Sequence, residues 1–436
     1  MWLPLYSVVF SIGFFILLPW VLWTGWRKGK MRGGLSERFG ALRRPWVRTL
    51  EGRRPIWVHA VSVGEAQMLP PLLQRIREAF PDIPVVVSTN TVTGQAIAQG
   101  LAHVHGVFYS PLDFGWAVRK VLGTLNPRLL VILETEIWPN LVVQTTRSGV
   151  PVMFLNGRIG DRSFRRYLRL RAFFTWLLRH PAAFGMRSDR DAERIIRMGA
   201  PPERVHVLGN LKYESAVQLL EDPCPIRREE FGLAQEDLVL VGGSTFPGEE
   251  DLLIRVYTRL RQSHPNLRLM VAPRHPERFE EAARAIRASG HPLAKRSSGP
   301  LQRDSQGPAP IVLLDVMGEL KRIYRVVDVV FIGKSMGVSP AGCGGQNPLE
   351  AAAWSKPVLC GPRMENFEEA TQLLIEAGGV DVVRSEEELS SKLEFLLINP
   401  DRRKLMGAAA FSTIRTSLGS ADRGLELIRK VLMRES

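Results

Sequence analysis

The chain opens on an unbroken apolar stretch. Leu3 to Trp26 contains no charged residue and is dominated by Leu, Val, Phe, Ile and Trp. A helix needs about 20 such residues to cross hydrocarbon, so the pattern predicts a membrane anchor over residues 1–26. Arg27, Lys28, Lys30 and Arg32 follow directly, and no Lys or Arg precedes the stretch. The positive-inside rule therefore puts the rest of the chain in the cytoplasm. A cleaved signal peptide would need a basic leading region and a small-residue cleavage site, and neither is present. Pro4 and Pro19 leave open whether the helix crosses fully or lies in the interface.

From residue 55 the pattern changes to short β-branched runs alternating with helical stretches, as in a parallel sheet covered on both faces. Strands are predicted at Ile56 to Ala60, Pro84 to Thr89, Gly106 to Tyr109, Leu129 to Leu133, Val150 to Leu155, Ala183 to Met186 and Val205 to Leu208. A Pro-containing, charged stretch around Glu221 to Glu230 interrupts the rhythm. A second series follows at Leu238 to Gly242, Arg268 to Ala272, Ile311 to Leu314, Val329 to Ile332, Pro357 to Cys360 and Val380 to Val383. The expected fold class is α/β, with two Rossmann-like doubly wound domains at 55–220 and 235–436, joined by a linker at 221–234. A basic juxtamembrane linker at 27–54 precedes them. Ser297 to Pro310, polar and rich in Gly and Pro, reads as a surface loop.

Composition narrows this picture. A chain of 436 residues suits two domains, and an apolar share of 45% argues against disorder. A net charge of +14 suggests nucleic acid, an anionic membrane or a phosphorylated substrate. No zinc-finger spacing, RNA-binding aromatic signature or basic zipper is present, so nucleic acid is not an expected partner. Cys224, Cys343 and Cys360 form no C-x-x-C pair, and no metal is expected. His103 and His105 lack companions for a metal and read as solvated loop residues. G-x-G-x-x-G is absent after the first strand of either half, and no Walker loop occurs, which disfavours dinucleotide and P-loop chemistry.

Open α/β sheets bind ligands beyond the carboxyl ends of their strands. In the first series those positions hold Ser62-Val-Gly-Glu65, Glu134-Thr-Glu136-Ile-Trp-Pro139-Asn140 and Gly209-Asn-Leu-Lys212, so two carboxylates and a lysine gather at one sheet edge. In the second they hold Gly243-Ser244-Thr245, Pro273-Arg274-His275-Pro276, Met317-Gly318-Glu319 and Gly344-Gly345-Gln346-Asn347-Pro348-Leu349-Glu350. Glycine, hydroxyl and arginine at helix starts suit a phosphate. If the two edges face one another, the second holds a phosphorylated donor while the first offers a base. Each member also has a plainer reading. Asn347 to Glu350 and Ser62 to Glu65 fit a helix-capping box, with Asn347 as N-cap, and Thr245 to Gly248 fits it weakly. Lys212 could be a solvated surface lysine. The basic, aromatic segment Arg158 to Arg179 suits an anionic lipid surface, or equally an amphipathic helix with outward arginines.

With these motifs in order along nearly the whole chain, and with Pro273 to Phe279 and Gly361 to Phe367 added, the sequence resembles the 3-deoxy-D-manno-octulosonic acid (Kdo) transferases of lipopolysaccharide assembly. The resemblance implies a GT-B fold whose two domains face across a cleft, with CMP-Kdo as donor and the lipid A precursor lipid IVA as acceptor. It further implies inverting, metal-independent transfer at the bacterial inner membrane and no cofactor. Carried over by position, Glu65 resembles the general base, and Glu134 and Lys212 resemble transition-state stabilisers. Pro273, Arg274, Met317, Gly318, Glu319, Asn347, Pro348, Leu349 and Glu350 resemble CMP contacts, beside Ser244, Thr245 and His275 of the phosphate-binding edge. Gln346 stands where many members have His, and the loop Ser335 to Cys343 is longer. A helix N-terminus beside Glu65 is expected to lower its pKa. The alternatives are a GT-B enzyme using another nucleotide sugar, such as a UDP-sugar transferase or epimerase, and a membrane-bound scaffold without catalysis.

Overall fold

A computed structural model of the chain describes residues 2–27, 34–42, 44–50, 52–221, 226–301, 309–338 and 343–434. Two compact units emerge, one of residues 1–215 with 417–436 and the other of 216–416.

The first unit is built on seven parallel strands: β1 (Ile56–His59), β2 (Val85–Thr89), β3 (Gly106–Tyr109), β4 (Leu129–Leu133), β5 (Val152–Gly157), β6 (Ala183–Met186) and β7 (Val205–Val207), in the order β3-β2-β1-β4-β5-β6-β7. Helices cover both faces, so β1 and β4 are buried along their whole length. Their alternate residues serve two separate cores. Trp57, Leu130 and Ile132 face one, together with Phe154 of β5. Ile56, Val58, Leu129 and Val131 face the other. Burial on both faces is why these strands read as continuous apolar runs.

The second unit repeats the plan with β8 (Leu238–Thr245), β9 (Leu267–Pro273), β10 (Leu293–Lys295), β11 (Ile311–Leu313), β12 (Val329–Ile332), β13 (Val358–Cys360) and β14 (Val380–Val382), ordered β10-β11-β9-β8-β12-β13-β14. Twelve of the predicted runs coincide with strands to within a few residues, and the thirteenth, Val150 to Leu155, starts two residues early. β10 was not expected: it has three half-buried residues that pair in parallel with β11 at the sheet edge.

Three boundaries differ from expectation. The division falls at 215/216 rather than at 221–234. The last helix, Ser420–Met433, packs on the first unit, with Ala421, Leu425, Ile428 and Val431 in its core and Ser420 Oγ donating to Glu214 Oε1 at 2.8 Å. The described part of 34–54 is folded rather than a free linker: Glu37 is buried, ion-pairs with Arg44 and accepts the Tyr109 N–H at 2.8 Å. His105, expected to be solvated, accepts the Val85 N–H through Nδ1 at 3.1 Å. Lys28, Lys30, Arg32, Cys224 and Pro340 lie outside the described residues.

The apolar N-terminus is one helix, Trp2–Arg27, whose first 18 residues have a mean hydropathy of 1.9. One stripe of it rests on the first unit. Phe10 and Phe14 meet Phe114, Trp2 and Tyr6 meet Phe173, and Ser7 Oγ lies 3.1 Å from the donating Asn140 Nδ2. Leu5, Val8, Val9, Ile12, Phe15 and Ile16 on the other stripe are exposed. The segment from 158 to 179 forms two helices, Asp161–Arg169 and Arg171–Leu177, with Phe164 and Phe174 buried and Arg162, Arg165, Arg166, Arg169 and Arg171 exposed.

Candidate active site

In the first unit the chain reverses between β1 and β4, which makes their carboxyl ends the natural ligand crevice of the sheet. Glu65 sits in the first turn of the helix Val63–Ala79 that follows β1. Ser62 caps that helix through the Glu65 N–H at 3.3 Å, as the sequence suggested. Its hydroxyl donates to Glu65 Oε1 at 2.9 Å, and the Val61 N–H donates to Oε2 at 2.8 Å. These bonds fix the carboxyl group in one rotamer.

Burial, followed by the negative charge of Glu134, pushes Glu65 up to about 7, while the Val61 and Ser62 bonds pull the other way. This corrects the expectation of a lowered value. Withdrawal from water and a like charge outweigh the positive end of the helix. Burial, then Glu134, also raises Glu136.

Glu134 follows β4 directly, in a left-handed backbone conformation with φ 55°. Its side chain forms an ion pair with Arg187, the first residue after β6. Lys212 lies in the first turn of the helix Leu211–Val217 and is half-buried rather than a free surface lysine. Burial and then the Arg187 charge lower it to about 8, against the opposing pull of Glu134 and Glu65. Glu65, Glu134 and Lys212 thus act on one another electrostatically.

In the second unit the chain reverses between β8 and β12. Ser244 adopts φ 55° at the end of β8. Gly333 follows β12, and a Cβ there would lie 2.5 Å from the Ser244 carbonyl oxygen, so the two strand tips can approach only because this residue is glycine. Gly345 has φ 70°, and a Cβ on it would meet Met364 Sδ at 2.3 Å. Arg274 follows β9 half-buried, and its N–H donates to the Thr245 carbonyl at 3.1 Å. His275 is exposed, with its ring 5.5 Å from that of Phe246.

The capping details differ from the sequence reading. Pro348, not Asn347, is the N-cap of the short helix Leu349–Ala353. Asn347 Oδ1 accepts the Leu349 N–H at 3.1 Å, and its Nδ2 donates to Glu350 at 3.3 Å. The Leu349 side chain is wholly buried, so it belongs to the core. Burial raises Glu350. Gly248, in the left-handed region, caps the helix Glu249–Leu260, while the Thr245 hydroxyl donates to the buried Glu250 at 2.8 Å. Met317 is exposed, Gly318 has φ 90°, and Glu319 pairs with Arg296 at 2.9 Å.

The part that several residues play in holding these positions was not read from the sequence. Glu249 is 1% exposed and accepts the backbone N–H groups of Phe246, Lys334, Ser335 and Met336 at 2.7–3.1 Å. One carboxylate thereby ties the loops after β8 and β12. Arg278 joins Glu250 to Glu281 at 2.7 and 3.0 Å. Arg187 and Asn156 play the corresponding part in the first unit. A usable signal was present: Arg187, like Glu134, is the residue immediately after a strand.

Two parallel seven-stranded sheets, each covered by helices, give the chain a GT-B fold. A UDP-GlcNAc 2-epimerase from Neisseria meningitidis solved with UDP-GlcNAc superposes with a TM-score of 0.60 at 13% identity, over 86% of this chain and 100% of that one. A glycosyltransferase from Rickettsia africae gives 0.56 at 11%, over 88% and 100%. At that identity the likeness concerns the fold alone.

Sequence goes further. The family described as 3-deoxy-D-manno-octulosonic-acid transferase (kdotransferase) matches residues 33–215. The 3-deoxy-D-manno-octulosonic acid transferase of Bordetella pertussis is 31% identical over 96% of this chain and 98% of its own. That of Haemophilus influenzae is 28% identical over the whole of both. The chain belongs to the 3-deoxy-D-manno-octulosonic acid transferase family and is a glycosyltransferase.

Proposed function

We propose that the protein transfers Kdo from CMP-Kdo to the lipid A precursor lipid IVA, by an inverting displacement that uses neither metal nor cofactor. The observation that carries this reading is Glu65: a buried carboxyl, held by two hydrogen bonds at a strand tip and raised to about 7 beside Glu134 and Lys212. A group of that pKa accepts a proton effectively near neutral pH.

In the proposed step Glu65 takes the proton of the acceptor's sugar hydroxyl while that oxygen bonds to the anomeric carbon of Kdo. The bond from that carbon to the CMP phosphate oxygen breaks, and CMP departs with the electron pair. Lys212 and Glu134 stabilise the charge that develops during the exchange. The second unit grips the donor. Arg274 supplies a guanidinium fork for the phosphate, and the turns at Ser244, Thr245, Gly318 and Asn347 supply backbone N–H groups. Pro273, His275, Met317, Glu319, Pro348, Glu350 and the backbone of Leu349 complete the donor-binding set. The helix Trp2–Arg27 holds the enzyme at the bacterial inner membrane with both units on the cytoplasmic side, and the basic residues beside it meet anionic headgroups.

Incubating the full-length protein with CMP-Kdo and lipid IVA, then weighing the lipid, tests the reading. The expected product is the lipid carrying added Kdo, with free CMP, at a rate unaffected by a chelator. Turnover of a UDP-sugar with none of CMP-Kdo would overturn it.

A further inference from the structure

Arg187 is an unusual residue to find inside a protein. Its side chain is 3% exposed, and a buried guanidinium is costly unless every donor faces a partner. Its Nη2 pairs with Glu134 Oε1, its Nε donates to the Asn156 carbonyl at 3.1 Å, and its backbone N–H donates to the Gly157 carbonyl at 3.0 Å. Asn156 continues the chain of contacts, with its side-chain Oδ1 accepting the Leu211 N–H at 3.0 Å, one residue before Lys212. Glu134 and Asn156 both hold left-handed backbone conformations, with φ 55° and 57°. Asparagine adopts this conformation readily, but for a glutamate it is unusual and marks a backbone held by its surroundings.

We propose that Arg187 is a positioning residue of this site: by pairing with Glu134 and bonding the backbone of Asn156, it locks the tips of β4, β5 and β6 together and, through Asn156, sets the start of the helix that carries Lys212. The proposal rests on the reading that Glu134 and Lys212 serve the transfer. Apolar filling of the same volume would stabilise the core equally well. What an arginine adds is a fork able to hold a carboxylate and a carbonyl at once, together with a fixed positive charge.

That charge has a consequence separate from packing. Among the charged groups acting on Lys212, Arg187 has the largest effect and lowers its pKa, ahead of Glu134, Arg158 and Glu65.

The test uses the full-length enzyme with Arg187→Gln and Arg187→Lys. Arg187→Gln is expected to reduce kcat about 100-fold through misplacement of Glu134 and Lys212, with the KM for CMP-Kdo within about twofold. Arg187→Lys keeps the charge but cannot bond both partners, and should fall about tenfold below the unaltered enzyme. Independently of substrate, the pH dependence of Lys212 acylation, read by peptide mass spectrometry, should move up by about one unit in Arg187→Gln and stay in place in Arg187→Lys.

An unchanged kcat overturns the proposal, and so does a lowered kcat with Lys212 titrating as before, which would mark a merely structural role. If Arg187→Gln does not fold, Arg187→Lys decides: a rate equal to that of the unaltered enzyme sinks the idea, and a tenfold loss supports it. If the unaltered enzyme makes no Kdo-lipid, the transferase reading has failed, while the Lys212 labelling still reads whether Arg187 sets that lysine.

Discussion

β1 and β4 in one unit, and β8 and β12 in the other, flank equivalent reversals of two parallel sheets, yet the residues set there differ in kind. At the first, Glu65, Glu134, Arg187 and Lys212 bring four ionisable side chains within electrostatic reach of one another. At the second, Gly243, Ser244, Gly333 and Gly345 leave the backbone bare, and the buried carboxylate of Glu249 is turned inward to hold four N–H groups. On the proposed reading, the first edge moves protons and charge and the second shapes a backbone cradle for a phosphate. A shared topology therefore says where chemistry occurs, and only the side chains at the strand tips say which chemistry.

The largest effect is expected at Glu65. Glu65→Gln keeps the size of the side chain and the Ser62 cap but cannot accept a proton. Transfer should fall about 1000-fold in kcat, with the KM for CMP-Kdo little changed, because donor binding is assigned to the other unit. Single-turnover kinetics checks this. A variant retaining more than a tenth of normal kcat would remove Glu65 as base.

The complementary change in the second unit acts on stability. Glu249→Ala strips the acceptor from the N–H groups of Phe246, Lys334, Ser335 and Met336 in a buried place. Unmet donors of this kind should cost about 3 kcal/mol of unfolding free energy, measurable by urea titration. The same replacement should weaken donor binding, since it frees the loops after β8 and β12. A stable variant with normal donor affinity would show that the cradle does not depend on this tie.

How far these features could be read in advance depended on whether their cause was local. The central strands were legible because burial on both faces leaves uninterrupted runs such as Leu129 to Leu133. β10 was not, because Leu293–Lys295 is half-buried at an edge and carries no such run. Glu65, Glu134 and Lys212 could be picked out by their place after strands. The direction of the Glu65 shift could not, since it depends on burial and on Glu134, 69 positions away in sequence. The place of Arg187 after a strand was legible, but its partners and those of Glu249 were not, because they are strand tips remote along the chain. The final helix shows the limit of periodicity, which reveals that Ser420–Met433 has an apolar face but not which unit receives it.

In the second unit, Arg274 is the side chain assigned to the donor phosphate. Arg274→Ala removes the guanidinium assigned to the phosphate and should raise the KM for CMP-Kdo some 10- to 100-fold, the range for one charge-assisted hydrogen bond of about 1.5–3 kcal/mol. Its pH profile should match that of the unaltered enzyme, because the titrating groups lie in the other unit. A moved profile would mean the division of labour is wrong.

The smallest effect is the most direct test of that division. Glu65 must be deprotonated to act and is raised to about 7, so kcat/KM, which reads the free enzyme, should climb as pH rises through that value. Lys212 must be protonated and is lowered to about 8, so kcat/KM should decline as pH rises beyond it. The expected profile is a narrow bell between the two. At about pH 6, one unit below the lower limb, kcat/KM should be about tenfold under its pH-independent value. Lys212→Arg, whose cation does not titrate in this range, should flatten the alkaline limb while leaving the acid limb in place. If instead both limbs persist in that variant, the alkaline titration belongs to another group and Lys212 is not the cation on which the step depends.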